Sequence, residues 1–255
     1  MKECILTNGI TSVVGSNENT NYPWTNVLND HPKWVGQAAN VGDVTLTLTI
    51  DGVSNAFALF NTDAITIDYT LRDGSNNIVE QVSWNQAAAT DYFELVYGQD
   101  GLAQDVFTSR YHNYPDQVGL HTITLVLNNG SGTVPVSCGI ARAGAVRSFP
   151  GPDLGLREQP IDYSVEEQFE NGSFFYFERD RVRSWSGNNT MNEDDYFQLL
   201  LNVGLAIGKR PIPWKIIDSE DQRYTTFARF GNTLPSAAHP NYAFKQMSVS
   251  LIEVI

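Results

Sequence analysis

The run VTLTLTI (44–50) alternates apolar residues with threonine, and this period of two constrains the fold more than any other feature of the chain. In an extended strand it puts all the apolar side chains on one face, whereas a helix would scatter them around its circumference. Related runs follow between turn signals. AITIDYTLRDG (64–74) alternates and stops at Asp73-Gly74, NIVEQVSW (77–84) follows as its hairpin partner, and GLHTITLVLNNG (119–130) ends on Asn-Asn-Gly. AFALF (56–60) is a short continuous apolar run, as in a strand covered on both faces, and YFELVY (92–97) and VSCGIARAG (136–144) complete the series. Seven or eight strands in about 145 residues, with no strong helix among them, predict a β-sandwich or jelly roll over residues 1–147. Tyr111-His112-Asn113-Tyr114-Pro115 and Ala238-His239-Pro240 read as loops.

The rest of the chain reads differently. SFPGPDLGLREQP (148–160) is rich in proline and glycine and predicts a connecting arm over 148–163. In QFENGSFFYFERDRVRSWSG (168–187), Arg179, Arg181 and Arg183 fall on one strand face behind four consecutive aromatic residues, which makes them candidates for a subunit interface. TMNEDDYFQLLLNVGLAIGKRP (190–211) predicts a buried helix over about 191–207. Thr190 and Glu193 have capping-box spacing, acids fill the first turn, and Phe197, Leu200, Leu201, Gly204 and Leu205 share a face. Gly208 is placed for C′ and Pro211 stops the helix. PIPWKII (211–217), RYTTFARF (223–230) and YAFKQMSVSLIEVI (242–255) predict strands, giving a β module with one helix over 164–255.

Composition narrows the function. With 16 basic against 29 acidic residues the net charge is -13, and neither half carries the basic stripe that nucleic-acid binding requires. No apolar run reaches the ~18 residues of a membrane span, and MKECILTNGITSVV lacks the features of a signal peptide. Cys4 and Cys138 are expected to be free thiols of a reducing compartment, the alternative being that they meet across a sheet. His31, His112, His121 and His239 have no metal-ligand spacing. There is no nucleophile elbow, phosphate loop or dinucleotide fingerprint, and nothing selects a carboxylate pair at glycosidase spacing of about 5 Å. The expectation is a chain that is not an enzyme and needs no metal or cofactor.

NYPWTNVLNDHPKW (21–34) is the candidate binding segment. A sugar site needs an exposed aromatic ring with polar neighbours, and Tyr22, Trp24, Asn29, Asp30 and His31 could supply one. Trp34 is expected in the core, where an aromatic side chain buries roughly 150–250 Å². Trp24 could serve as core residue or as sugar ligand.

Residues 24–30, Trp34, LTLTIDG (46–52) and NAFALFNTDAITIDYTLRDG (55–74) together resemble the first third of a galactose-binding-like (discoidin-type) jelly roll, and the resemblance covers about residues 20–145. It implies a sandwich whose loops at one end bind sugar in some members. IDYS (161–164), RVR (181–183) and SVSLIEV (248–254) are carried on a module that resembles the tail-tube and distal-tail β-barrel of bacteriophage virions. That resemblance implies a structural tail-tip component made in the bacterial cytoplasm and built into the virion. Its partners would be further copies in a six-fold or three-fold ring, the tail-tube protein, and hub, baseplate or fibre proteins. The other reading is a carbohydrate-binding adhesin that recognises a host-surface polysaccharide through the 21–34 loop.

Overall fold

In the computed structural model the described residues are all but 1, 32, 86–108, 131–133, 150–154, 170–172, 178–180, 198–202, 206, 218–223, 232–235, 239–244 and 255. The chain divides into two compact units, one formed by Glu3–Ser148 with Pro213–Thr226, the other by Met1–Lys2, Phe149–Ile212 and Phe227–Ile255.

The first unit contains β1 (Glu3–Ile5), β2 (Ile10–Gly15), β3 (Gly36–Gln37), β4 (Val44–Ile50), β5 (Ser54–Thr62), β6 (Thr66–Arg72), β7 (Ile78–Asn85), β8 (Ser109–Gln117), β9 (His121–Asn128), β10 (Ser137–Gly144) and β11 (Val146–Ser148). Two antiparallel sheets, ordered β2-β4-β9-β6-β7 and β3-β10-β5-β8, pack face to face. Alternation along β4 and β9 turns Leu46, Leu48, Ile50, Ile123, Leu125 and Leu127 into a shared core, which Phe57, Leu59, Ala141 and Ala143 meet from the other sheet. The continuous apolar run of β5 is buried on both faces: Phe57 and Leu59 join that core, while Ala56, Ala58 and Phe60 are buried outside it. On that outer side Asn113 donates from Nδ2 to Glu3 at 3.0 Å, and a Cβ on Gly144 would come 2.1 Å from the Thr7 carbonyl oxygen. Only glycine lets the backbones approach so closely there. Cys4 and Cys138 are buried free thiols, both pushed above their ordinary range by burial.

Tyr111–Pro115, expected in a loop, lies in β8. Pro115 is tolerated because β8 is the edge of its sheet, and the pairing slips between Ser54 and Ala56 opposite it. The expected 92–97 strand lies outside the described residues.

The second unit contains β12 (Arg157–Asp162), β13 (Val165–Gln168), β14 (Phe174–Phe177), β15 (Arg181–Met191), the helix α1 (Glu193–Phe197), and, after β16 (Ile212–Lys215), the end of β17 (Thr225–Phe230), β18 (Ser236–Ala238) and β19 (Lys245–Glu253). β15 pairs with β12 on one side and β19 on the other, and β17 and β18 both pair with β19. Among the described residues these ladders form an open path, not the closed barrel expected. The arm expected over 148–163 is in part a strand: β12 is paired along its whole length with β15, and Pro160 is accommodated on its outer edge.

The helix also departs from expectation. Thr190 is held in β15 opposite Gln246, so it cannot cap; Asn192 does so, its Oδ1 accepting from the Asp195 N–H at 2.8 Å. No residue of Glu193–Phe197 is buried. Residues 203–205 wind as a π-turn, in which Leu205 points outward while Val203 is buried; Leu200 and Leu201 of the expected face lie outside the described residues. Gly208 takes a φ of 59° and donates to the Gly204 carbonyl, closing the segment as its composition predicts.

Candidate functional site

The excursion between β2 and β4 is organised around Trp24. Residues Trp24–Leu28 form a 3-10 turn that packs on β2, β3 and β10, and the indole is fully buried. Two glycines make room for it. A Cβ on Gly15 would lie 2.2 Å from the indole Cδ1, and one on Gly36 would lie 2.6 Å from Cε3. The indole N–H donates to the Ser16 carbonyl at 3.2 Å, and Glu18 accepts from the Trp24 backbone N–H at 2.7 Å. The ring thus wedges shut one side of the sandwich between the edges β2 and β3, with its polar atom satisfied. Trp24 cannot present a face to a sugar.

Arg142, on β10 and only 4% exposed, fixes the following residues. Its guanidinium donates to the carbonyls of Val27 at 3.2 Å and Asn29 at 2.8 Å, and reaches the Asp30 carboxylate at 2.7 Å. A buried cation needs such partners, and here they are mostly the backbone of the binding segment itself. Asn29 therefore serves through its carbonyl and Asp30 as an ion-pair partner. Asn26 adds a hydrogen bond from Nδ2 to the Val35 carbonyl at 3.0 Å.

The outward aromatic is Trp34. Expected in the core, it is 58% exposed, because the wedge position is already filled by Trp24 and the backbone turns at His31–Trp34. The His31 and Trp34 rings stack with centroids 6.0 Å apart, and Tyr22 is also exposed. Of the predicted residues, then, Tyr22 and His31 are at the surface, Arg142 holds Asn29 by its backbone carbonyl and Asp30 by its carboxylate, and Trp24 is interior. Trp34 is the exposed ring that sequence reasoning assigned elsewhere.

A second concentration of polar and aromatic groups lies where β7 and β8 face each other at the other edge of the sandwich. Tyr69 has ring centroids 5.3 Å from Trp84, 5.2 Å from His112, 6.5 Å from Tyr114 and 5.9 Å from Phe57. His112 Nε2 is 3.1 Å from Glu80, a contact between the two edge strands. Burial, with Tyr114 and Glu80 nearby, pushes the Tyr69 phenol far above its ordinary range, so it remains a neutral hydroxyl. Tyr114 is pushed up to about 12 by burial, partly offset by its hydrogen bond to Ser54.

That bond begins a chain across the core. Tyr114 donates to Ser54 Oγ at 2.7 Å, Ser54 Oγ is 2.6 Å from His121 Nε2, and His121 Nδ1 donates to the Gly119 carbonyl at 2.8 Å. A serine beside a histidine invites a nucleophilic reading, but Ser54 and His121 are buried, and their bonds cross-link β5 and β8 of one sheet to β9 of the other.

In the second unit Arg183 is paired within the chain. It contacts Glu253 at 2.8 Å and Glu158 at 4.0 Å and lies 4.9 Å from the Trp185 ring centroid. These contacts hold it against β19 and β12 within its own unit. Arg179 lies outside the described residues, and Arg181 pairs through its backbone with Asp162. Among the described residues no group of acidic, histidine or cysteine side chains is arranged to hold a metal ion.

No family model matches the sequence, and no curated protein matches it. Among solved structures, chitosan-binding module 1 of a chitosanase/glucanase from Paenibacillus sp. IK-5 is similar, at 9% identity and a TM-score of 0.37, over 55% of this chain and 98% of that one. A pectin-binding carbohydrate-binding module is similar at 12% identity and a TM-score of 0.36, over 54% and 91%. XRCC1 bound to the DNA pol beta catalytic domain is similar at 12% identity and 0.36, over 56% and 98%.

Proposed function

We propose that the first unit is a non-catalytic carbohydrate-binding module whose ligand surface centres on Trp34. The observation that carries this reading is the exposure of that indole on a segment fastened from beneath by Arg142. An exposed tryptophan keeps a large apolar surface in water, and on a braced segment it stays presented at little further entropic cost on binding. The C–H face of a pyranose ring covers such a surface, while Tyr22 and His31 supply hydroxyl and imidazole groups for the sugar's own hydroxyls. Retention of the chain on immobilised polysaccharides, followed by a glycan array, tests the reading. Trp34→Ala is expected to weaken binding at least about tenfold, a loss of roughly 1.4 kcal/mol, with the far-UV spectrum unchanged. Equal binding by the variant, or no binding by the parent to any glycan, overturns it.

A second reading concerns the other unit and is compatible with the first. We infer that it anchors the chain in a larger assembly, the tail tip of a bacteriophage, as one copy of a ring joining tail tube to hub or fibres, with the sandwich displayed outward. The observation favouring assembly is the β13–β14 hairpin, a two-stranded sheet of its own in which Phe174, Phe175, Tyr176 and Phe177 are each at least half exposed. Two strands alone are marginal in water, and aromatic side chains exposed on both faces have the composition of an interface core.

A further inference from the structure

The two strands of the β13–β14 hairpin differ in chemistry. β14 is aromatic throughout, whereas the strand paired with it reads Val165-Glu166-Glu167-Gln168. Phe174, Phe175, Tyr176 and Phe177 are each at least half exposed, so β14 meets water on both faces of its sheet. The ladder also fixes which way its backbone points. Phe169 donates its N–H to the Ser173 carbonyl at 2.9 Å, and the register runs on from that pair without a slip. Hydrogen-bonded pairs alternate with non-hydrogen-bonded ones in an antiparallel ladder. Phe175–Glu167 and Phe177–Val165 are therefore the bonded pairs, and the N–H and C=O of Phe174 and Tyr176 point away from β13. β14 has no proline, lysine or bulge, the devices that keep an edge from pairing further, while Glu166 and Glu167 guard the β13 edge. Among the described residues no third strand joins these two.

We propose that β14 pairs with β14 of a second copy, antiparallel about a two-fold axis at Phe175, giving a joint sheet ordered β13-β14-β14-β13. The outward backbone groups set this register. Phe174 of each copy lies opposite Tyr176 of the other, each pair exchanging both N–H···O bonds, and the two Phe175 residues lie opposite each other. On one face Phe175 meets Phe175, and on the other Phe174 meets Tyr176, so every cross-strand pair at the seam is aromatic. The strand is thus complementary to itself, as a two-fold contact requires. Charge favours the same edge. The two β13 strands become outermost, three spacings or about 14 Å apart, beyond a Debye length of about 8 Å, whereas pairing through β13 would set glutamates side by side. Side chains of roughly 150–250 Å² that are half exposed leave roughly 600–1,000 Å² of aromatic surface in two copies, near the lower bound of a specific interface. The pair is therefore expected at micromolar concentration. Joining hairpins also supplies the further strands that a two-stranded sheet lacks. The proposal rests on the reading of this hairpin as an assembly surface and names what it docks on.

The test combines sedimentation with cysteine cross-linking of the full chain. The unaltered protein should sediment as a dimer, or as a larger oligomer built from dimers, at micromolar concentration. The non-hydrogen-bonded pair at the axis brings its Cα atoms to about 4.5 Å, inside the disulfide range of about 4.4–6.8 Å. Phe175→Cys should therefore oxidise to a covalent dimer, whereas Glu167→Cys, on the outer strand, should not. Cys4 and Cys138 are buried, so the parent supplies the background. Tyr176→Pro removes an N–H that faces the seam and none that bonds β13, and it should return the chain to the monomer, while Tyr176→Phe should leave the dimer intact. Cross-linking does not depend on the proline variant, so it decides the matter if that variant fails to fold. A parent that is monomeric at every concentration overturns both this proposal and the ring. An oligomer in which Phe175→Cys cross-links no better than Glu167→Cys, or in which a folded Tyr176→Pro assembles like the parent, overturns the two-fold seam and leaves the ring standing. A dimer cross-linked through Phe175→Cys that forms nothing larger supports the seam and sinks the ring.

Discussion

Trp24 and Trp34 share a segment and much of their local composition, yet one is sealed and the other is out in water. Nothing within the segment distinguishes them. The difference is made by Gly15 and Gly36, which together leave a slot of indole size. Gly15→Ala is accordingly expected to destabilise the fold by about 1–3 kcal/mol through overpacking, and Trp24→Ala by about 3–5 kcal/mol through the cavity it opens. Urea unfolding followed by fluorescence measures both, and a Gly15→Ala protein as stable as its parent would show that the wedge is misassigned. Arg142 was legible only as one basic residue in an apolar strand. Its function as the brace for Val27, Asn29 and Asp30 depends on contacts distant in sequence.

At the scale of elements, three strands were readable to within a residue or two: 44–50 is β4 with its apolar set inward, 136–144 is β10 with its run buried, and 77–84 is β7, whose Val82 and Trp84 are partly buried while Ile78 and Val79 are exposed. β2 and β8 were not readable. β8 carries histidine, asparagine and proline, which signal a loop, and it is a strand because β5 offers it an open edge. The turn between β6 and β7 shows local chemistry at its most legible. Asp73 accepts from the side chain and backbone N–H of Asn77 and from the backbone N–H of Ser75, while Asn76 takes a φ of 66°. Those bonds, that from the Asn77 side chain first, hold the Asp73 carboxyl below its ordinary value of 3.8. A carboxyl lowered in the folded state adds stability above its unfolded value, and that contribution disappears as pH falls through the folded one. The difference in stability between parent and Asp73→Ala should therefore stay level at neutral pH and shrink only as pH drops below 3.8. A difference that is the same at pH 7 and pH 2.5 in thermal melts would show that the carboxylate's charge is not what the turn uses.

For the whole molecule, the exposed β13–β14 hairpin bears on whether the chain acts alone. If it docks on further copies, sedimentation at micromolar concentration should give an oligomer, and Phe175→Ser with Phe177→Ser should return it to the monomer with each unit folded. A parent chain that sediments as a monomer at every concentration would remove the support for a ring. What the sequence determined by itself was the β character of the chain, the positions of its alternating strands, the tight turns at Asp73 and the stop at Gly208. These follow from interactions between residues a few positions apart, and the side-chain period records them directly. Tertiary structure alone decided which tryptophan is core, that Arg183 is spent on Glu253, that Ser54 and His121 form a buried cross-link, and that Tyr69 and Arg110 are left with unsatisfied atoms. Each of these depends on the space and hydrogen-bonding groups that strands remote in sequence bring to one place, and no local pattern carries that information.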